Sequence, residues 1–235
     1  MPSPISLRKD PVTPQAASIE FADNPEPRCA CVLLLDTSGS MNGTPIQELN
    51  QAMVEFKNAL AKDAQASARV EVAVVTFGDG GVTIAQDFVS AGDFVPPTLV
   101  AGGLTPLGDA LNQTLDLVVD RKATYKANAV DYYRPWIILI TDGAPTDTGV
   151  WEGAAARLRA EEARKGVLCW CFGVDNADTK VLKNISSERS YLLKDYAGSF
   201  GKIFRWVSSS MARVSQSTPG DQVPLEAPPG PIIIS

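Results

Sequence analysis

At 235 residues the chain has the length of one large domain or two small ones, and an apolar content of 45% supplies a sizeable core. A formal net charge of −6 with no basic block argues against a nucleic-acid backbone or an anionic membrane surface as partner. No apolar stretch approaches the ~20 residues a membrane-spanning helix needs, Met1-Pro2-Ser3-Pro4-Ile5 lacks the apolar core of a signal peptide, and the chain has no histidine, so a cytoplasmic location is expected and Ser-His-Asp or Cys-His catalysis is excluded within it.

Residues 1–27 hold six prolines and sustain no helical or strand period, which predicts a flexible N-terminal arm that lays at most Ile19 and Phe21 on the body. The body is expected over 28–214. Its first strand covers 28–35 and runs into a loop over 36–43. Thr44, Pro45 and Gln47 read as N-cap, first helical residue and capping box, followed by a helix with Ile46, Leu49, Met53, Phe56 and Leu60 on its buried face. A β-branched run over 70–77 is a second strand, and Gly78-Asp79-Gly80-Gly81 turns it into a third over 82–88, an antiparallel edge. Gly102-Gly103 gives the loop before Thr105 backbone freedom. Pro106 then opens a helix buried through Leu107, Leu111, Leu115 and Val118, with a charged connection over 120–134 that carries Tyr125, Tyr132 and Tyr133. Residues 136–140 form a fourth strand, 150–165 a helix closed by Gly166, and 167–174 a fifth strand. A short helix over 178–188, a short strand over 190–193 and a last helix over 199–214 with Ile203, Trp206, Val207 and Met211 complete the body. From 215 to 235 Ser, Pro, Gly and Gln dominate, which predicts a disordered tail; its end, Ile232-Ile233-Ile234, is a candidate for strand addition to a partner's sheet.

Four cysteines fall in two Cys-x-Cys pairs, Cys29/Cys31 and Cys169/Cys171, at strand positions. Residues two apart on a strand share a face near the upper limit of disulfide reach, and zinc sites space paired cysteines more widely on loops. Structural, buried thiols are expected.

The chemistry concentrates after the first strand. Cys31-Val32-Leu33-Leu34-Leu35 reads as a strand buried on both faces, which belongs in a parallel sheet whose ligands bind beyond the strands' carboxyl ends. Asp36, Ser38 and Ser40 follow at alternate positions, and three oxygen donors curling around one point suit a hard cation, Mg2+ first. Asp36-Thr37-Ser38-Gly39-Ser40-Met41 resembles the Asp-x-Ser-x-Ser motif of von Willebrand factor A domains. Gly102-Gly103-Leu104-Thr105-Pro106-Leu107-Gly108 and Ile137-Ile138-Leu139-Ile140-Thr141-Asp142-Gly143 resemble the two further pieces of that family's metal-ion-dependent adhesion site, in its order and spacing. The resemblance covers roughly residues 28–214. It implies an α/β fold with a doubly wound, mostly parallel central sheet, helices on both faces and one antiparallel edge strand. It also implies a metal site of Asp36, Ser38, Ser40, Thr105 and Asp142 that holds Mg2+, with Mn2+ or Ca2+ as alternatives, completed by an Asp or Glu of a partner protein. Together with Thr141-Asp142-Gly143-Ala144-Pro145-Thr146-Asp147, the first motif looks most like bacterial tellurium-resistance (TerY-like) proteins, whose setting implies a stress-response signalling set with a protein kinase and a protein phosphatase.

Plain readings stand beside these. Thr105 also reads as a helix N-cap, and Asp142 as a turn residue before Gly143. The competing function is a Mg2+-dependent phosphohydrolase using Asp36 as nucleophile. That chemistry needs an acid two residues on, where this chain has Ser38, and no phosphate-binding Gly-x-x-x-x-Gly-Lys or Gly-x-Gly-x-x-Gly loop is present. The chain is therefore expected to bind rather than to catalyse.

Overall fold

A computed structural model describes residues 21, 24–142, 144–174, 177–193, 198–229 and 232–233. Strands and helices alternate as β1 (Cys29–Thr37), α1 (Thr44–Leu60), α2 (Ala64–Arg69), β2 (Val70–Gly78), β3 (Gly81–Ser90), α3 (Leu107–Ala127), β4 (Trp136–Thr141), α4 (Trp151–Ala163), β5 (Leu168–Val174), α5 (Thr179–Ile185), β6 (Ser190–Leu193), α6 (Ser199–Ser215) and β7 (Ile232–Ile233). The strands make one sheet in the order β3-β2-β1-β4-β5-β6-β7. β2, β1, β4, β5 and β6 run parallel, β3 is the expected antiparallel edge, and the two-residue β7 pairs antiparallel with β6 at the other edge. This is the α/β class that the strand–helix alternation predicts, in the doubly wound order that the family resemblance implies.

Both faces are covered. All nine residues of β1 and all six of β4 are buried, as strands sandwiched between helix layers must be. On one face α1 and α6 pack over the sheet, with Phe56 against Phe204 at 5.5 Å and Trp206 edge-on to Trp170 at 4.6 Å. The other face takes Leu107, Leu111, Leu115 and Val118 of α3, Leu158 of α4 and Leu182 of α5. The apolar stripes read at three- and four-residue steps are all inside.

Several local readings change. Thr44 is the first residue of α1 rather than its cap: Gly43, at φ 85°, turns the chain one residue earlier and no side chain caps the helix. α3 continues to Ala127, through half of the predicted 120–134 connection, because Arg121 and Tyr125 on its last turns reach the carboxylate of Glu71 on β2. The N-terminal arm is tied down from residue 24, where Asn24 donates to the Ala68 carbonyl at 2.8 Å and Arg28 is 1% exposed beside Glu71. Phe21 is buried against Tyr125, with its ring 5.3 Å from the Arg28 guanidinium and 5.2 Å from that of Arg121; Ile19 lies outside the described residues. Beyond α6, residues 216–229, for which composition predicts disorder, run along the body. Trp206 Nε1 donates to the Glu226 carbonyl at 2.9 Å, Tyr133 to that of Ser217 at 2.5 Å, and Leu225 packs on the core. Ile232 and Ile233 pair antiparallel with Leu192 and Tyr191 of the chain's own β6, where strand addition to a partner's sheet was the candidate reading; Ile234 lies outside the described residues.

All four cysteines are free and buried. Cys29 and Cys31 sit on the α1–α6 face and Cys169 and Cys171 on the other, so the two pairs cannot share a metal. Burial, and secondarily the charge of Glu71, pushes the Cys29 thiol from 9.0 up to about 12. A thiol held protonated in the folded state stabilises it fully below its unfolded value, and that contribution is lost as pH rises through the folded value. Stability is expected to fall between about pH 9 and 12, and a thiol-reactive disulfide at pH 8 should titrate none of the four thiols before denaturation and all four after it. Rapid reaction of native protein would contradict the burial of these strands.

Candidate metal centre

The site is built at the one place where the strand order reverses. From β1 the chain steps to β2 and β3 on one side, then returns to β4 on the other, which leaves a crevice beyond the carboxyl ends of β1 and β4. Asp36 is the eighth residue of β1 and wholly buried, Ser38 is 2% exposed, and Ser40 and Asp142 reach toward solvent. A short 3-10 turn, Gly39–Met41, curls the loop where the two serine hydroxyls meet and Ser40 reaches Asp142.

Their oxygens form a continuous run. Asp36 Oδ1 accepts from the Ser38 amide at 2.8 Å, Ser38 Oγ lies 3.0 Å from Ser40 Oγ, and Ser40 donates to Asp142 Oδ1 at 2.8 Å. Neighbouring oxygens around an octahedral Mg2+, with ligands at about 2.1 Å, are about 3.0 Å apart. The spacings of Ser38, Ser40 and Asp142 match that value, so the donor set can hold a hard cation without rebuilding the loops. Burial raises the pKa of Asp36; hydrogen bonds from Ser38 and Thr141 pull it back, and the charge of Asp142 pushes it up again. A cation between the two carboxylates would offset both the burial and the repulsion.

Thr105 arrives on a third loop that is fastened to the first by backbone. The Gly102 amide donates to the Thr37 carbonyl at 2.8 Å, and the Gly39 amide to that of Gly103 at 3.1 Å. This approach requires glycine. Gly103 has φ 74°, and a Cβ there would lie 2.6 Å from Asp79 Cα; at Gly78 a Cβ would lie 2.4 Å from the Thr37 carbonyl oxygen. Thr105 itself is 6% exposed and pairs with Thr146, whose Oγ1 accepts from the Thr105 amide at 3.0 Å and whose amide donates to the Thr105 carbonyl at 2.9 Å. Its reading as a helix N-cap does not hold: no side chain caps α3 from the preceding residue, and Asp147 Oδ2 accepts from the Asp109 amide instead. The capping is done from the β4–α4 loop, which leaves the Thr105 side chain for other use.

The structure thus gathers Asp36, Ser38, Ser40 and Asp142 into one run and brings the Thr105 loop against it. Sequence reading passed over Thr141, which donates to Asp36 Oδ2 at 2.5 Å and holds the carboxylate in place, and Thr146 and Asp147, which set the Thr105 loop. Thr141 was findable, since it precedes Asp142 at the end of β4, one position from the site. Thr146 and Asp147 stand in the 141–147 motif, but nothing local pointed to their contacts with the Thr105 loop, since their partners are 41 and 38 residues away.

An α/β sheet with oxygen donors converging at its switch point defines a doubly wound, ligand-binding class of domain. The chain belongs to the von Willebrand factor type A domain family, whose pattern it matches over residues 31–205. Domains of this family typically mediate protein–protein interactions and are often metal-dependent. No curated protein sequence matches the chain. Among solved structures it is similar to the SpaC pilus adhesin of Lactobacillus rhamnosus GG in its open conformation, with TM-score 0.62 and 15% identity over 81% of this chain and 31% of that one. Proximal thread matrix protein 1 of the mussel byssus gives 0.55 and 23% over 84% of this chain and 50% of that one. Manganese-loaded TRAP protein of Plasmodium vivax gives 0.53 and 17% over 76% and 73%. At these identities the likeness is one of fold. The chain spans half the length of the mussel protein and less than a third of the adhesin. Among the described residues no helix is long and apolar enough to cross a membrane.

Proposed function

We propose that the chain is a Mg2+-dependent protein-interaction module in which Asp36, Ser38, Ser40, Thr105 and Asp142 hold the cation, directly or through water, and a partner's Asp or Glu completes its shell. The observation that carries this reading is the Ser38–Ser40–Asp142 run at oxygen spacings of 3.0 and 2.8 Å. Neutral hydroxyls with only two carboxylates leave the ion residual positive charge, which is what an incoming carboxylate needs. Leu104, 69% exposed beside Thr105, offers an apolar contact next to that charge, an arrangement suited to a protein surface. Mn2+ is an alternative occupant, and TRAP, of similar fold, was crystallised with it; Ca2+ is another. The module binds rather than turns over substrate, since Ser38 stands where an aspartate-nucleophile phosphohydrolase has its acid. By resemblance of its first and last site motifs to TerY-like proteins, its setting is the bacterial cytoplasm, as scaffold or regulated component of a stress-response set with a protein kinase and a phosphatase.

Calorimetric titration of Mg2+ and Mn2+ into metal-stripped protein tests the site. One saturable event is expected, lost in Ser40→Ala and in Thr105→Ala, and both variants should fail to retain a carboxylate-bearing partner in a pull-down. Binding that survives in both variants overturns the ligand assignment, and a wild type that takes up neither ion overturns a preformed site.

A further inference from the structure

At the opposite end of the sheet, where β4, β5 and β6 begin, lies a cavity of about 820 Å³. β4 alone separates it from the metal loops by six residues, about 20 Å of strand. Its volume falls within the roughly 300–1,000 Å³ of small-molecule sites.

Six cationic side chains line it: Lys122 and Lys126 of α3, Arg134 ahead of β4, Arg164 and Lys165 after α4, and Arg189 ahead of β6. Asp221, on the C-terminal segment that walls one side, is the one carboxylate among the described lining residues. Glu161 pairs with Arg164, and Glu162 and Glu188 with Arg189. Among the described residues Lys122, Lys126, Arg134 and Lys165 make no ion pair. Lys122 donates to the Gly166 carbonyl at 3.2 Å and Arg134 Nη2 to that of Glu162 at 2.7 Å, while Arg134 Nε is buried with no hydrogen-bond partner. A buried guanidinium donor left unmatched is a standing energetic cost, and the guanidinium that carries it belongs to a residue lining the cavity. Burial lowers the Lys122 pKa, with Glu161 opposing and the charges of Lys126 and Arg164 reinforcing the shift; an anion would reverse that crowding. Arg134, Lys165 and Arg189 also line an adjoining cavity of about 350 Å³ with Arg159, where Glu162 and Glu188 balance part of the charge, so the uncompensated cations concentrate in the larger cavity. On a chain of net charge −6, this is a concentration of positive charge assembled by folding from four separate segments. The rest of the wall mixes apolar groups, Tyr132, Leu168 and Leu225 among them, with the polar Gln222.

We propose that this cavity is a binding site for a small phosphorylated molecule, its phosphates held by Lys122, Lys126, Arg134 and Lys165 and its body laid against Tyr132 and Leu225. Multiply charged phosphate oxygens match a fork of guanidinium and ammonium donors better than a single carboxylate does. The site is independent of the metal loops and stands whether or not they bind a cation.

The test is calorimetric titration of ATP and of tripolyphosphate in EDTA, which keeps divalent ions out of the other edge. Wild type is compared with Lys122→Ala/Lys165→Ala, with Arg134→Gln and with Ser40→Ala, after thermal melts establish that each folds. One saturable event is expected for at least one probe. Removing charge-assisted bonds should weaken it roughly tenfold or more in the double variant and in Arg134→Gln, with no change in Ser40→Ala. Failure of both probes to saturate, affinity indifferent to the cavity variants, or affinity lost in Ser40→Ala overturns the proposal. So does a phosphopeptide that binds where both small probes fail.

Discussion

Glu71→Ala is expected to lower the unfolding free energy by about 3–5 kcal/mol, the usual consequence of removing one partner of a buried ion pair. Glu71 is 1% exposed on β2 and serves three partners at once. Arg28 donates to it at 3.0 Å, Arg121 through Nε and Nη2 at 2.8 and 2.7 Å, and the Tyr125 hydroxyl also bonds it. Without the carboxylate, Arg28, 1% exposed, remains as a charge out of water with only the Glu26 and Asn24 carbonyls to face, at 2.5 and 2.6 Å. The last turns of α3 lose the contact that carries the helix to Ala127, and Phe21 loses the two guanidinium groups that frame it. Urea denaturation measures the effect as a shift in midpoint at unchanged slope. A loss below about 1 kcal/mol would mean that Arg28 swings into solvent and the network is only a surface pairing.

Gly103→Ala should be nearly as damaging, at about 2–5 kcal/mol, and should also disable the metal loops. A left-handed backbone costs a non-glycine residue about 1–2 kcal/mol, and the added methyl, 2.6 Å from Asp79 Cα, adds the roughly 1–3 kcal/mol of overpacking against atoms that belong to the backbone and cannot rotate away. The loop must then retreat from the β2–β3 turn, which pulls Gly102 and Gly103 off Thr37 and Gly39 and moves Thr105 with them. A drop in melting temperature together with loss of Mg2+ heat is the expected result. Full cation affinity in a variant that melts early would show that the Thr105 loop contributes stability but no ligand.

Much of the fold was legible because its signals are local. The apolar runs at 31–35 and 136–140 marked strands buried on both faces, the three- and four-residue stripes of α1, α3 and α6 marked their inner faces, and the β2–β3 turn announced an antiparallel edge. Asp36, Ser38 and Ser40 stood out because they alternate directly after an apolar strand, and Asp142 through the resemblance of residues 137–143 to the family's third motif. What misled was competition for the same roles, from the next residue or from distant loops. Thr44 looked like a cap until Gly43 turned the chain first. Thr105 looked like a cap until Asp147, from another loop, took that bond. The tail at 216–229 looked disordered because its composition offers no core of its own, yet Trp206, Tyr133 and Arg213 accept it through its backbone carbonyls.

The sequence by itself determined where most strands and helices lie, which faces they bury and the absence of histidine chemistry, since periodicity and residue type act within a few positions. Only the tertiary structure decided that Ser40 meets Asp142 at 2.8 Å across 102 residues, that Glu71 pairs with two arginines at once, and that six scattered cations share one cavity at the other end of the sheet. Those outcomes depend on strand order and loop closure, which bring together charges and backbone atoms whose separation along the chain carries no local trace.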